Sequence, residues 1–135
     1  MNFEIFTKNY VVDKSRLKEA AKAAFSKYLA KESQIELVFV DEIEIRELNL
    51  KYRKIDSITD VLSFKIENKP FIGQIFICYN RAEEQAKQSN IDVNDEIQSL
   101  FIHGLAHLLG HDHENEKDLK KMTEVETIIK KGEND

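Results

Sequence analysis

Residues 93–110, VNDEIQSLFIHGLAHLLG, carry the pattern that most limits the fold. Ile97, Leu100, Phe101, Gly104, Leu105, Leu108 and Leu109 recur at i, i+3, i+4 and i+7, which marks a helix whose apolar face must be covered. The earlier part of the chain offers that cover. QIELVFV (34–40) is a β-branched and aromatic run and reads as a buried strand. NFEIFT (2–7) alternates weakly as a first strand, and DVLSFKI (60–66) and FIGQIFICY (71–79) read as two more. The short break ENKP between the last two fits a hairpin, so at least one strand pair is antiparallel. Asp13 is placed to cap a helix through SRLKEAAKAAFSKYLAK, and DEIEIRELNLKYR has Ile43, Leu48 and Tyr52 at helical spacing. NRAEEQAKQSN and ENEKDLKKMTEVETIIKK complete the helices. The expectation is an α/β (α+β) fold: a mixed four-stranded sheet with a β-hairpin, packed with about five helices, one of them a zincin-like metal helix.

At 135 residues and 41% hydrophobic, the chain suffices for one core, and a single domain over residues 1–135 is expected. Its apolar runs are far shorter than the roughly 20 residues that cross a bilayer, and MNFEIFTKNY lacks the layout of a secretory signal, so the expected location is the cytoplasm, with no membrane partner. The lone Cys78 reads as a small apolar residue in a strand. The formal charge of −5 argues against coating nucleic acid by bulk electrostatics. Residues 8–31 nevertheless hold seven basic side chains against two acidic ones, and KYRK (51–54) adds three. Either a local basic face or a solvated helix surface accounts for the longer run.

All four histidines fall within HGLAHLLGHDH, residues 103–113. At about 100° per residue, His103 and His107 project side by side on the flank of the apolar stripe, where two imidazoles can reach one ion. Gly110, three residues past His107, suits the left-handed position that ends a helix and turns the chain back, which returns His113 toward the same point. Three histidines with a fourth place left open is how a catalytic zinc is held. The spacing H-x-x-x-H-x-x-G-x-x-H is that of the metzincin proteases with one change: Gly104 stands where they carry the glutamate that acts as general base. His111 reads as a surface histidine or as a group moving protons.

Taken with LNLKYRKIDSITDVLSF (48–64), this motif resembles the YbeY family of bacterial metal-dependent endoribonucleases. That family's patterns run approximately H-G-x-L-H-L-x-G-Y-D-H and N-x-x-Y-R-x-x-D-x-x-T-D-V-L-S-F. Asn49, Tyr52, Arg53, Asp56, Thr59, Asp60, Val61, Leu62, Ser63 and Phe64 fall at matching positions. The resemblance implies a zinc-protease-like fold and single-strand-specific cleavage of RNA. It also implies a role in 16S ribosomal RNA 3′-end maturation and late ribosome assembly and quality control, with ribosomal RNA and the ribosome or small-subunit proteins as partners. By position it makes His103, His107 and His113 the ligands of one zinc ion, with nickel or another divalent metal possible, and Arg53 the functional arginine. A guanidinium suits that role, because phosphodiester cleavage builds charge on phosphate oxygens that paired hydrogen bonds can clamp. Arg53 also fits a plain helix C-terminal cation.

The chain departs from the family at His111 (usually tyrosine), Ala106 (usually leucine), Gln74 (commonly aspartate), and Ile58 and Lys65 (often proline). Asp60 and Asp112 are candidates to orient a ligand histidine, or else strand-start and turn residues. Two other function classes stay open: a zincin-like metallopeptidase, against which Gly104 counts, and a non-catalytic ribosome-assembly factor with a structural metal.

Overall fold

The computed structural model describes residues 1–67, 69–110 and 116–133, the side chains of 116–119 and 131–133 excepted. The elements run β1 (Asn2–Phe6), α1 (Lys14–Tyr28), β2 (Gln34–Val40), α2 (Glu42–Arg53), β3 (Val61–Glu67), β4 (Ile72–Cys78), α3 (Tyr79–Ser89), α4 (Val93–Leu108) and α5 (Glu116–Glu133). The sheet order is β1-β2-β4-β3. β1 pairs parallel with β2 and β2 with β4, while β3 returns antiparallel along β4 as the expected hairpin partner. The fold is therefore α+β on a mixed sheet, with β1 and β3 as its edges.

Alternation of side chains gives the sheet two faces. Ile35, Leu37, Phe39, Ile75 and Ile77 point to one of them, where they meet Leu17, Ala20, Ala21 and Ala24 of α1 and Phe101 and Leu105 of α4 in the main core. α5 adds Met122, Val125 and Ile129 to the same cluster, at the i, i+3, i+7 spacing of an amphipathic helix. On the opposite face a smaller core of Val40, Ile45, Leu62 and Cys78 lies under α2, with Phe64 and Phe76 packed against it. Cys78 is buried there, as a small apolar residue should be.

α2 corrects the sequence reading in one respect. Its inward residues are Ile45 and Asn49, whereas Ile43 and Tyr52 are 71% and 57% exposed. The helix is fixed by its ends more than by an apolar stripe. Asp41 and Glu44 form a reciprocal capping box at the start, and Lys54 closes the end in the left-handed conformation with its N–H on the carbonyls of Asn49 and Leu50. α1 is capped by Asp13 as expected. Its Arg16 pairs with Asp95 at 2.7 Å and also meets Gln98, tying α1 to the first turns of α4. Lys14, Lys18, Lys22 and Lys27 line its exposed side, and Lys31 follows it, also exposed, so the basic run is mainly a solvated helix face.

Candidate functional site

α4 lies very close to the sheet. A Cβ placed on Gly104 would stand 2.9 Å from Ile75 Cγ2 and 3.1 Å from Ser63 Oγ, and one placed on Gly73 would stand 2.8 Å from a Leu108 methyl. The two carbon distances, 2.9 and 2.8 Å, are shorter than ordinary carbon contacts of roughly 3.5–4.0 Å. Two glycines, one on each element, let helix and strand approach, and Ser63 Oγ then donates to the Gly104 carbonyl at 3.0 Å. Gly104 is thus a packing residue. The place that a metzincin gives to its glutamate base faces the interior of this fold.

On one flank of that contact stripe two side chains turn outward. His103 and His107 are partly exposed, with ring centroids 4.7 Å apart and planes at 85°. His103 Nδ1 lies 3.2 Å from Glu126 Oε1 of α5. A carboxylate oxygen accepts, so the ring nitrogen facing it carries the hydrogen, and in the neutral ring the lone pair is then on Nε2. That is the tautomer in which an imidazole can bind a metal through Nε2. Two neighbouring imidazoles, one already so oriented, fit a divalent ion of zinc's ligand preference.

α4 ends as its sequence dictates. Leu109 N–H reaches the Leu105 carbonyl, Gly110 N–H reaches that of His107 at 3.0 Å, and Gly110 takes a positive φ of 92°. His111, Asp112 and His113 lie outside the described residues, so the third expected ligand has no described position. Among the described residues no group of three His, Cys, Asp or Glu side chains is arranged to hold a metal ion.

Arg53 is the last residue of α2, on the side of the sheet away from α4, and is exposed. Asp60 is committed elsewhere: its carboxylate accepts from Gln85 at 3.2 Å and, weakly, from Thr59 at 3.4 Å. It also faces Glu96 of α4, whose own carboxyl is pushed above the ordinary range, first by burial and then by Asp60's charge. The carboxylate that orients His103 is Glu126, which sequence reasoning missed. It stands 23 positions downstream on a separate helix and belongs to no motif.

The family model described as Endoribonuclease YbeY matches residues 2–132. The chain belongs to the YbeY family. It is 40% identical over 131 residues to the Endoribonuclease YbeY of Endomicrobium trichonymphae, covering 96% of this chain and 91% of that one. It is 45% identical over 105 residues to the Endoribonuclease YbeY of Nautilia profundicola, covering 76% and 75%. The solution structure of a Thermotoga maritima protein superposes with a TM-score of 0.66 at 28% identity, covering 98% of this chain and 89% of that one.

The YbeY-like stretch 49–64 now has a structural account. Asn49, only 2% exposed, donates to the Ser57 carbonyl at 3.0 Å, and Asp56 takes both Arg46 Nε at 2.6 Å and Arg46 Nη2 at 3.3 Å. Arg46 holds the Asp56 carboxyl below its usual range. These bonds fold the segment after Arg53 back onto α2, fixing where that arginine ends. Gln74, in place of the family's common aspartate, lies on the face opposite α4 and donates to Glu36 at 3.0 Å. An aspartate there would set two carboxylates side by side across neighbouring strands. Ala106 is fully buried.

Proposed function

We propose that this chain is a zinc-dependent, single-strand-specific endoribonuclease that trims the 3′ end of small-subunit ribosomal RNA in the cytoplasm, working with the ribosome or its small-subunit proteins. The observation that carries the reading is the pair His103 and His107 in a YbeY-family chain, their ring centroids 4.7 Å apart and His103 Nδ1 3.2 Å from Glu126 Oε1. His103 and His107, joined by His113, would hold the ion, which when bound supplies Lewis acidity toward a phosphodiester. Nickel or another divalent ion would suit three imidazoles too.

The chain's own residues supply the rest. Arg53 is exposed at the end of α2, where its guanidinium can grip a phosphate through two parallel N–H donors. Glu126 keeps His103 in one tautomer and one orientation. Gly104, pressed against Ile75 and Ser63, offers no general base, which weighs against the peptidase reading. An RNA whose own 2′-hydroxyl attacks would need no metal-bound nucleophile, its proton passing to a base other than residue 104.

The test compares zinc-loaded wild type with identically purified His107→Ala and Arg53→Ala on a single-stranded ribosomal RNA 3′ tail, scoring cleavage against time. Cutting by wild type and loss in both folded variants supports the reading. Equal cutting by all three would reveal a contaminating nuclease. No cutting by any would point instead to an assembly factor with a structural metal.

A further inference from the structure

Tyr52 is anomalous for an aromatic residue in a small domain. It is 57% exposed, yet its ring is held in place. Phe64 lies against it at 5.1 Å with the planes tilted by 53°, and Phe64 in turn meets Phe76 edge-on at 5.8 Å. These three rings form a ladder from the surface down to the smaller core, so Tyr52 is a rigid platform anchored from beneath. Lys51 lies with its ammonium 5.2 Å from the ring centroid, and the two residues that follow Tyr52 along the chain are Arg53 and Lys54, both exposed. Arg46, the nearby fourth cation, is already taken by Asp56. A protein of net charge −5 thus carries three cations within two residues along the chain of one exposed aromatic ring, one of them on the ring itself.

The platform is also close to the histidine helix through the chain itself. Edge strand β3 presents Ser63 to one face, where it bonds the Gly104 carbonyl next to His103, and Phe64 to the other, where it backs Tyr52. Two consecutive residues link the two features across the edge of the sheet.

We propose that Tyr52 is a nucleobase-stacking subsite, on which one unpaired base of single-stranded RNA lies while Lys51 and Arg53 take the phosphates that flank it. The substrate class rests on the nuclease reading above. A flat ring accepts any base through its π face, and a base in a duplex has no free face to offer, so the subsite selects for single strands without reading sequence. Lys51, a flexible ammonium on a solvated stem, moves from the ring to a phosphate when the base arrives.

Fluorescence anisotropy on chelator-treated protein, which binds without cutting, tests this with a labelled single-stranded oligoribonucleotide and a series carrying one abasic residue at each position in turn. Tyr52→Leu is expected to weaken binding roughly 5- to 150-fold, the span of one base–aromatic stack, and Tyr52→Phe to bind as wild type. One abasic position should weaken wild type by a similar factor and leave Tyr52→Leu unaffected. Equal binding by wild type and Tyr52→Leu, abasic penalties identical in both, or no binding by wild type would overturn the proposal. Circular dichroism with urea unfolding shows whether Tyr52→Leu is folded; if it is not, Tyr52→Met, which keeps an apolar contact for Phe64 but has no π face, takes its place with the same expected outcomes. The cleavage assay with His107→Ala stands apart from this one: cutting by wild type that is lost in His107→Ala, together with a flat abasic series, sinks the subsite and spares the nuclease.

Discussion

Gly104→Ala measures how tightly α4 is seated. The added Cβ would stand 2.9 Å from Ile75 Cγ2, at least about 0.6 Å inside an ordinary carbon contact. Ile75 is fully buried and β-branched, so it cannot turn away cheaply. The helix must lift instead, at a cost of about 1–3 kcal/mol for overpacking. Lifting also stretches the 3.0 Å bond from Ser63 to the Gly104 carbonyl, a further ~0.5–1.5 kcal/mol. Against this, alanine is favoured over glycine in a helix interior by about 1 kcal/mol. The expected net loss is about 2 kcal/mol, which at a typical urea dependence lowers the unfolding midpoint by roughly 1 M. Urea titration followed by far-UV circular dichroism reads it directly. A Gly104→Ala protein with an unchanged or higher midpoint would mean that helix propensity outweighs the contact, and the argument that this position has no room for a glutamate base would fall with it.

Three other outcomes are expected. Glu126→Ala should weaken zinc binding about 10- to 100-fold, measured by competition with a chromophoric chelator, with Glu126→Gln losing less because its carbonyl still accepts from His103 Nδ1; equal affinity in all three proteins would mean that Glu126 does not orient the ligand. Gly110→Ala should cost about 1–2 kcal/mol in urea unfolding although nothing crowds the position, because φ of 92° disfavours any side chain. Glu96→Gln should raise the unfolding midpoint at pH 7: a carboxyl whose folded pKa is raised destabilises the fold while ionised, so the advantage shrinks as pH falls through that raised value and is gone below the ordinary 4.5. An advantage that instead grew on acidification would refute the burial account.

Where one residue's chemistry decides a feature locally, the sequence was informative. The stripe from Ile97 to Leu108, the Asp13 cap, the β-branched run Gln34–Val40 and the positive φ of Gly110 each follow from side-chain type and spacing within a few positions. The pairing of His103 with His107 follows from helix geometry alone. α2 misled because its inward face includes a polar residue: Asn49 is buried to bind Ser57, which no apolar periodicity reveals. Asp60 was a fair candidate for orienting a histidine until α3 placed Gln85 against it. Glu126 was invisible because its role depends on how α5 docks, a tertiary event that leaves no local signature.

The contact between His103 and Glu126 ties the histidine pair to the docking of the last helix. Glu126 sits on the helix whose Met122, Val125 and Ile129 enter the main core, so anything that loosens that core withdraws the carboxylate from His103 without touching either histidine. The orientation of a candidate metal ligand is thereby made to depend on packing 23 residues away in the chain.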